Sequence, residues 1–216
     1  MSLRVCEVFT SIQGESSHAG RPCAFVRLSG CNLRCRWCDT AYAQQVTSEG
    51  GTARSLDDLV NEVRASGCRL AEITGGEPLL QAKTPELAAR LLGLGLTVLV
   101  ETNGSLDIGL LPEGSVAIVD MKGPSSGESA RMDLDNLSRL RGRDEVKFVI
   151  AHRADYDFML DLLPRIDTKR NVVNASPLFG QLDPAELAAW MLSDGLDLRL
   201  NLQQHKYIWD PARRGV

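Results

Sequence analysis

The chain has 216 residues, 44% of them hydrophobic and 24% charged, and a formal net charge of −4. That length fills one core, so residues 1–216 read as a single domain, and an acidic chain with scattered basic residues excludes a polybasic surface for nucleic acid. No apolar run approaches the roughly 20 residues that cross a bilayer, and "MSLRVCEVF" lacks the regions of a signal peptide; the expectation is a soluble, cytoplasmic protein with no membrane partner.

In chain order, strand-like runs fall at 4–9, 24–29, 70–74, 96–101, 115–120, 145–150, 171–176 and 196–201. Several are continuous rather than alternating, as expected of strands buried on both faces. Helical runs lie between them. Ser55 with Asp58 three residues on forms a capping pattern before "LDDLVNEVRAS". Thr84-Pro85 is read as cap and first helical residue of the next helix. Asp183-Pro184 with Glu186 repeats the device, and that helix stops near Gly195. Weaker helical patterns cover 133–141 and 154–163, and no clear helix falls between Thr102 and Ser115.

Strand-helix-strand order from 24 to 202 predicts an α/β fold with a parallel sheet and right-handed crossovers. A closed eight-fold barrel takes about 250 residues, so an incomplete, open parallel β/α barrel fits better. The cysteine loop, "TGGEP", "ETNG" and "DMKGPSS" all follow predicted strands. They are therefore expected on one rim, at the strands' C-terminal ends, where such folds hold their chemistry.

Cys31, Cys35 and Cys38 stand in a C-x3-C-x2-C spacing. A structural zinc site normally takes four ligands, and His18 or Cys68 are the candidates to complete one. Three thiolates instead suit a cubane iron–sulfur cluster with one iron left open to bind a small molecule. Cys6, Cys23 and Cys68 have no motif around them and read as small buried hydrophobes.

With Trp37 before the last cysteine, and Gly75-Gly76-Glu77-Pro78 after the strand "LAEIT", the chain resembles the radical S-adenosylmethionine enzymes. The resemblance implies a [4Fe-4S] cluster on the three cysteines, with S-adenosylmethionine chelated at the open iron and cleaved to a 5′-deoxyadenosyl radical. Glycines 75 and 76 let backbone approach that cofactor, and Glu77 is read as accepting from its amine. "VFTSIQGESSHAGRPCAFVRLSGCNLRCRWCDTAYA" and the later "QQHKYIW" resemble one branch, the 7-carboxy-7-deazaguanine synthase family. This implies ring contraction of 6-carboxy-5,6,7,8-tetrahydropterin to 7-carboxy-7-deazaguanine with loss of ammonia, on the route to queuosine and other 7-deazapurines. It also implies a Mg2+ requirement, a flavodoxin-like or other electron donor, and a homodimer.

The resemblance assigns substrate contacts to Ile12, Gln13, Gly14, Glu15, Arg27, Thr74 and His205, and Mg2+ to Thr40. Trp37, Cys38, Asp39, Gly75, Gly76, Glu77, Asp120, Met121 and Lys122 fall to the cofactor, with Ser176, Pro177, Leu178 and Phe179 as its adenine turn. Glu101 and Asn103 are expected on the same rim. The residues leave alternatives open. Arg27 at mid-strand needs a carboxylate, which the substrate or an internal Glu15 or Glu7 supplies. Thr40 also reads as a turn residue, Asp39 as a helix cap, and "DMKGPSS" as a polar loop. The tail is expected to fold over the pocket, with the atoms of "DPARRGV" that close it left open. No residue is singled out as a general acid or base. The alternative reading is a radical enzyme that makes a glycyl radical on a partner protein. Behind it stand an iron–sulfur electron carrier and a zinc-stabilised interaction domain.

Overall fold

A computed structural model describes residues 2–45 and 51–216. Strand β1 (Ser2–Ile12) pairs antiparallel with β2 (Pro22–Leu28) on one side and with β3 (Thr52–Ser55) on the other. From β2 onward the pairing is parallel, through β4 (Leu70–Gly75), β5 (Thr97–Thr102), β6 (Val116–Met121), β7 (Glu145–Ile150), β8 (Val172–Pro177) and β9 (Arg199–Leu200). The sheet order is β3-β1-β2-β4-β5-β6-β7-β8-β9, open at β3 and β9 as expected of an incomplete barrel. β3 is a short edge strand the sequence did not announce. Its "TARS" has no apolar alternation, and it forms by pairing with the start of β1.

The helices are α1 (Leu56–Ala65), α2 (Thr84–Gly93), α3 (Asn136–Arg139), α4 (Arg153–Leu162), α5 (Pro184–Ser193) and α6 (His205–Ile208). Ser55 caps α1 by accepting from Asp58 N at 3.1 Å, and Asp183 caps α5 by accepting from Ala185 N at 2.8 Å. Thr84 is not a cap. It is the first residue of α2, and its buried hydroxyl donates to Pro78 O at 2.6 Å, tying the helix to the turn after β4. The β5–β6 connection carries only a 3-10 turn, Ile108–Leu110. The weak pattern at 133–141 yields only the single turn of α3.

Successive side chains of a strand point to opposite faces. Val26, Leu28, Ile73, Val98, Val100, Val119, Val146 and Phe148 face the helices and form the main core with Leu59, Leu87, Leu91 and Met159. On the concave face, Cys23, Phe25, Leu70, Leu99, Val116 and Ile118 make a small apolar layer with Phe9 against it. Nearer the C-terminal strand ends that face turns polar: Arg27, Glu72, Thr74, Glu101, Asp120 and Lys147 all line one cavity. Cys23 is fully buried as expected, whereas Cys6 and Cys68 are only half-buried. Among the described residues, no helix is long and apolar enough to cross a membrane.

Candidate active site

The loops after β2, β4, β5 and β6 meet at one rim around a cavity of about 240 Å³, whose wall includes Cys31, Cys35 and Cys38. His18 and Cys68 do not reach that wall. His18 lies beside Arg21, its Nδ1 2.6 Å from the guanidinium, and Cys68 packs on the helix-side core. Neither is placed to complete a zinc site with the three thiols. Burial pushes the Cys31 thiol up, and burial pushes Cys35 up to about 11.

Gly76 explains why the turn after β4 needs glycine. A Cβ there would overlap the carbonyl of Gly30 and crowd Cys31, so the turn and the cysteine loop pack backbone on backbone. Gly75 has a φ of +146° and abuts the Leu28 backbone. Glu77 N donates to Gly30 O at 2.7 Å and closes the same seam.

The Glu77 side chain departs from its expected role. It is fully buried and absent from the cavity wall. Its Oε1 accepts from Leu79 N at 2.9 Å and Thr102 Oγ1 at 2.8 Å, and its Oε2 accepts from Asn103 N at 2.7 Å. The carboxylate splices the turn after β4 to the end of β5; both oxygens are spent inside the protein. Asn103, so placed, directs Nδ2 toward Cys31 Sγ at 3.7 Å.

Met121 also departs from expectation: alternation along β6 turns its side chain into the main core. Its neighbours face the cavity. Asp120 Oδ2 accepts from Lys122 Nζ at 2.8 Å and lies 3.2 Å from Lys147 Nζ, while its buried Oδ1 has no partner among the described residues. Burial would raise the Asp120 pKa, but the two lysines hold it below its ordinary value. Lys122 also sits 5.3 Å from the Trp37 ring centroid, and the buried Trp37 Nε1 is likewise unpartnered. Of the expected adenine turn, only Leu178 reaches the wall. Ser176 is buried, its Oγ accepting from Asn201 Nδ2 at 2.9 Å. Pro177 is the buried last residue of β8, and the Phe179 ring stands edge-on to Tyr207 at 5.4 Å.

Ile12, Gln13, Gly14, Glu15, Arg27, Asp39, Thr40, Thr74 and His205 all line the cavity. Arg27 Nε donates to Glu7 Oε1 at 2.8 Å, and Tyr42 Oη donates to the same oxygen at 2.9 Å. The internal carboxylate partner left open by the sequence is thus Glu7. Thr74 Oγ1 donates to Glu101 Oε2 at 3.4 Å. Thr40 Oγ1 donates to Asp39 Oδ1 at 3.1 Å, and Lys206 Nζ donates to Asp39 Oδ2 at 2.9 Å. Against the cost of desolvation, the Lys206 ammonium holds Asp39 well below the usual carboxylate range.

Lys147 was not expected; its one signal was a lysine inside the apolar run "EVKFVI". Its ammonium donates to Glu15 Oε2 at 2.8 Å and to Glu101 Oε1. Burial would lower its pKa, but Asp120, Glu101 and Glu15 hold it well above the ordinary value. Glu15 is held down in return: burial raises it, and Lys147 outweighs that.

The tail crosses the mouth. Gln204 N donates to Gly14 O at 2.9 Å, Gln203 Nε2 donates to Glu15 Oε1 at 2.6 Å, and His205 packs on Gly14. Burial pushes the His205 imidazole down, toward its neutral form. Beyond α6, Pro211, Arg213, Arg214, Gly215 and Val216 also line the cavity, with the Arg214 guanidinium carbon 3.8 Å from the Tyr42 ring centroid.

Three thiols on one wall, orphaned Asp120 Oδ1 and Trp37 Nε1 beside them, and a glycine seam between the two loops fit a cluster with a polar, hydroxyl-bearing ligand over it. Fold and site together define a radical S-adenosylmethionine protein, and the model of the Radical SAM superfamily matches residues 25–119. A 7-carboxy-7-deazaguanine synthase from Koribacter versatilis is 43% identical, covering 99% of this chain and all of that one. Another from Chlorobaculum tepidum is 44% identical over 99% of this chain and 97% of its own. The crystal structure of QueE from Escherichia coli shares the fold, with a TM-score of 0.73 over 95% of each chain at 24% identity. The chain belongs to the 7-carboxy-7-deazaguanine synthase family.

Proposed function

We propose that this chain contracts the ring of 6-carboxy-5,6,7,8-tetrahydropterin to 7-carboxy-7-deazaguanine, with loss of ammonia, as a step toward queuosine and related 7-deazapurines. The observation that carries the reading is the single cavity that joins the three cysteines to Arg27, Thr74, His205 and the Ile12–Glu15 backbone, in a chain alike over its whole length to synthases of that name. The glycyl-radical alternative has no such support.

Cys31, Cys35 and Cys38 hold the [4Fe-4S] cluster. Bound there, the cluster with S-adenosylmethionine would supply one-electron chemistry and hydrogen-atom abstraction. Gly75 and Gly76 would let backbone hold the cofactor's methionine part, Asp120 Oδ1 would accept from its hydroxyls, and Lys122 fixes Asp120. Glu77 acts behind them by splicing the two loops. Arg27 reads the substrate carboxylate with the edge of its guanidinium that Glu7 does not use. Thr40 donates to Asp39, so its lone pairs remain for Mg2+, which binds hydroxyl, water and substrate oxygens. The tail excludes water, with neutral His205 against the ring. An external one-electron donor of the flavodoxin type and a second copy of the chain complete the assembly.

The test is anaerobic reconstitution with iron and sulfide, then assay of 5′-deoxyadenosine and deazaguanine product with and without the carboxypterin. Product formation dependent on the pterin is expected. Cofactor cleavage with no deazaguanine formed from the pterin would reject the substrate assignment.

A further inference from the structure

We propose that Glu72 is a substrate-reading residue, its carboxyl pairing with the amide edge, an adjacent N–H and C=O, of the pterin's pyrimidinone ring. The proposal rests on the ring-contraction reading above. Glu72 lies on the concave face of β4, in register with Phe25 of β2 and Leu99 of β5. It therefore stands at the level of the apolar layer, of which Phe25 and Phe9 reach the cavity. It is 2% exposed and lines the cavity.

Two of the residues expected to contact the substrate, Gln13 and Glu15, are already engaged in building the wall. Gln13 Oε1 accepts from Glu15 N at 2.5 Å and its Nε2 donates to Glu72 Oε2, so each end of that amide already has a partner in the protein. Glu15 gives one oxygen to Lys147 and the other to Gln203. Among the described residues, the Gln13 amide is the one side-chain donor to the Glu72 carboxyl. Oε1 and the second lone pair of Oε2 remain for a ligand. Accepting from Gln13 alone asks for no ionisable group, since a glutamine or serine does so without the desolvation cost of a carboxyl.

The charges around it suit an amide partner. Burial, then Glu101 of β5 and Glu15 of the loop after β1, push Glu72 well above the ordinary glutamate range, while Lys147 of β7 opposes them. Cys23 of β2 also faces it, and burial holds that thiol neutral. A neutral carboxyl carries one O–H donor and one carbonyl acceptor. That set complements an adjacent ring C=O and N–H, with Oε1–H donating to the carbonyl and Oε2 accepting from the N–H.

The test is anaerobic calorimetric binding, without reductant, of 6-carboxy-5,6,7,8-tetrahydropterin and its 3-methyl derivative to reconstituted enzyme holding S-adenosylmethionine, in wild type, Glu72→Gln and Glu72→Leu. Wild type should favour the unmethylated pterin by about tenfold or more. Glu72→Gln keeps a neutral donor and acceptor and should retain that preference; Glu72→Leu should lose it while still binding S-adenosylmethionine. If Glu72→Leu keeps the preference, or if it and Gln13→Leu both weaken the two pterins equally, Glu72 merely anchors Gln13 and the proposal fails. Wild type indifferent to the methyl group overturns it as well. If wild type shown to be loaded with iron and S-adenosylmethionine binds neither pterin, the ring-contraction reading falls and this one with it.

Discussion

Arg27 has two claims on its guanidinium, and the geometry divides them. The Nε edge goes to Glu7, which Tyr42 also holds. A lysine offers one ammonium and cannot serve Glu7 and a substrate carboxylate with the same fixed geometry. Arg27→Lys should lower pterin turnover on the order of 100-fold, because about 1 Å of misplacement at a reacting centre costs that much, while cluster content and S-adenosylmethionine binding persist. Turnover within a few-fold of wild type would assign Arg27 to the fold alone. Glu72 gives a stability signature without substrate. Its folded-state pKa is raised, so its contribution is present below the ordinary glutamate range and lost as pH rises toward the raised value. Wild type should therefore lose thermal stability relative to Glu72→Gln between pH 5 and pH 8. A difference in melting temperature that stays flat over that window would contradict a neutral Glu72.

At the scale of elements, the turn after β4 and the cysteine loop meet backbone on backbone. Gly76→Ala sets a Cβ against the Gly30 backbone, which has no rotamer to yield. A loss of about 1–3 kcal/mol is expected, in the range of other overpacked sites, together with poorer iron loading. Denaturant unfolding and iron content measure the two effects, and normal values for both would mean the seam moves freely. Strand β7 carries the electrostatic counterpart. Lys147→Met leaves Glu15 and Glu101 without a cation and Asp120 with Lys122 alone; the loss near pH 7 should reach about 3–5 kcal/mol, as for a broken buried pair. Glu15 and Asp120 have depressed pKa values, so their contribution is present above the ordinary carboxylate range and lost as pH falls through the depressed values. The gap between wild type and variant should thus narrow on acidification from pH 7 to pH 3, and a gap that widened would refute the network.

Across the whole molecule, the cavity joins both ends of the chain: Gly14 follows the first strand, and His205 rests on it from the tail. Gly14→Ala should displace the imidazole without altering it, raising KM for the pterin while cofactor cleavage persists; an unchanged KM would remove His205 from the pocket. Replacing Cys31, Cys35 or Cys38 by Ala should abolish cofactor cleavage, whereas single changes at Cys6, Cys23 or Cys68, which lie off the cavity wall, should not. Iron analysis of Cys68→Ala decides the three-ligand reading, since loss of the cluster there would end it. What the sequence by itself determined were features written in local spacing: three thiols in eight residues, glycines where backbone must touch backbone, caps at Ser55 and Asp183, and strand-helix order too short to close a barrel. Tertiary structure alone decided which polar groups are spent and which are left. Glu77, Gln13 and Glu15 look alike as ligand contacts in a linear reading, and only the packing of β5, β4 and β7 shows that Asn103, Glu72 and Lys147 already engage them. The physical reason is that a buried carboxylate or amide must find partners, and those partners come from strands far apart in sequence. The same pairing leaves one carboxyl lining the cavity, Glu72, with an edge to spare.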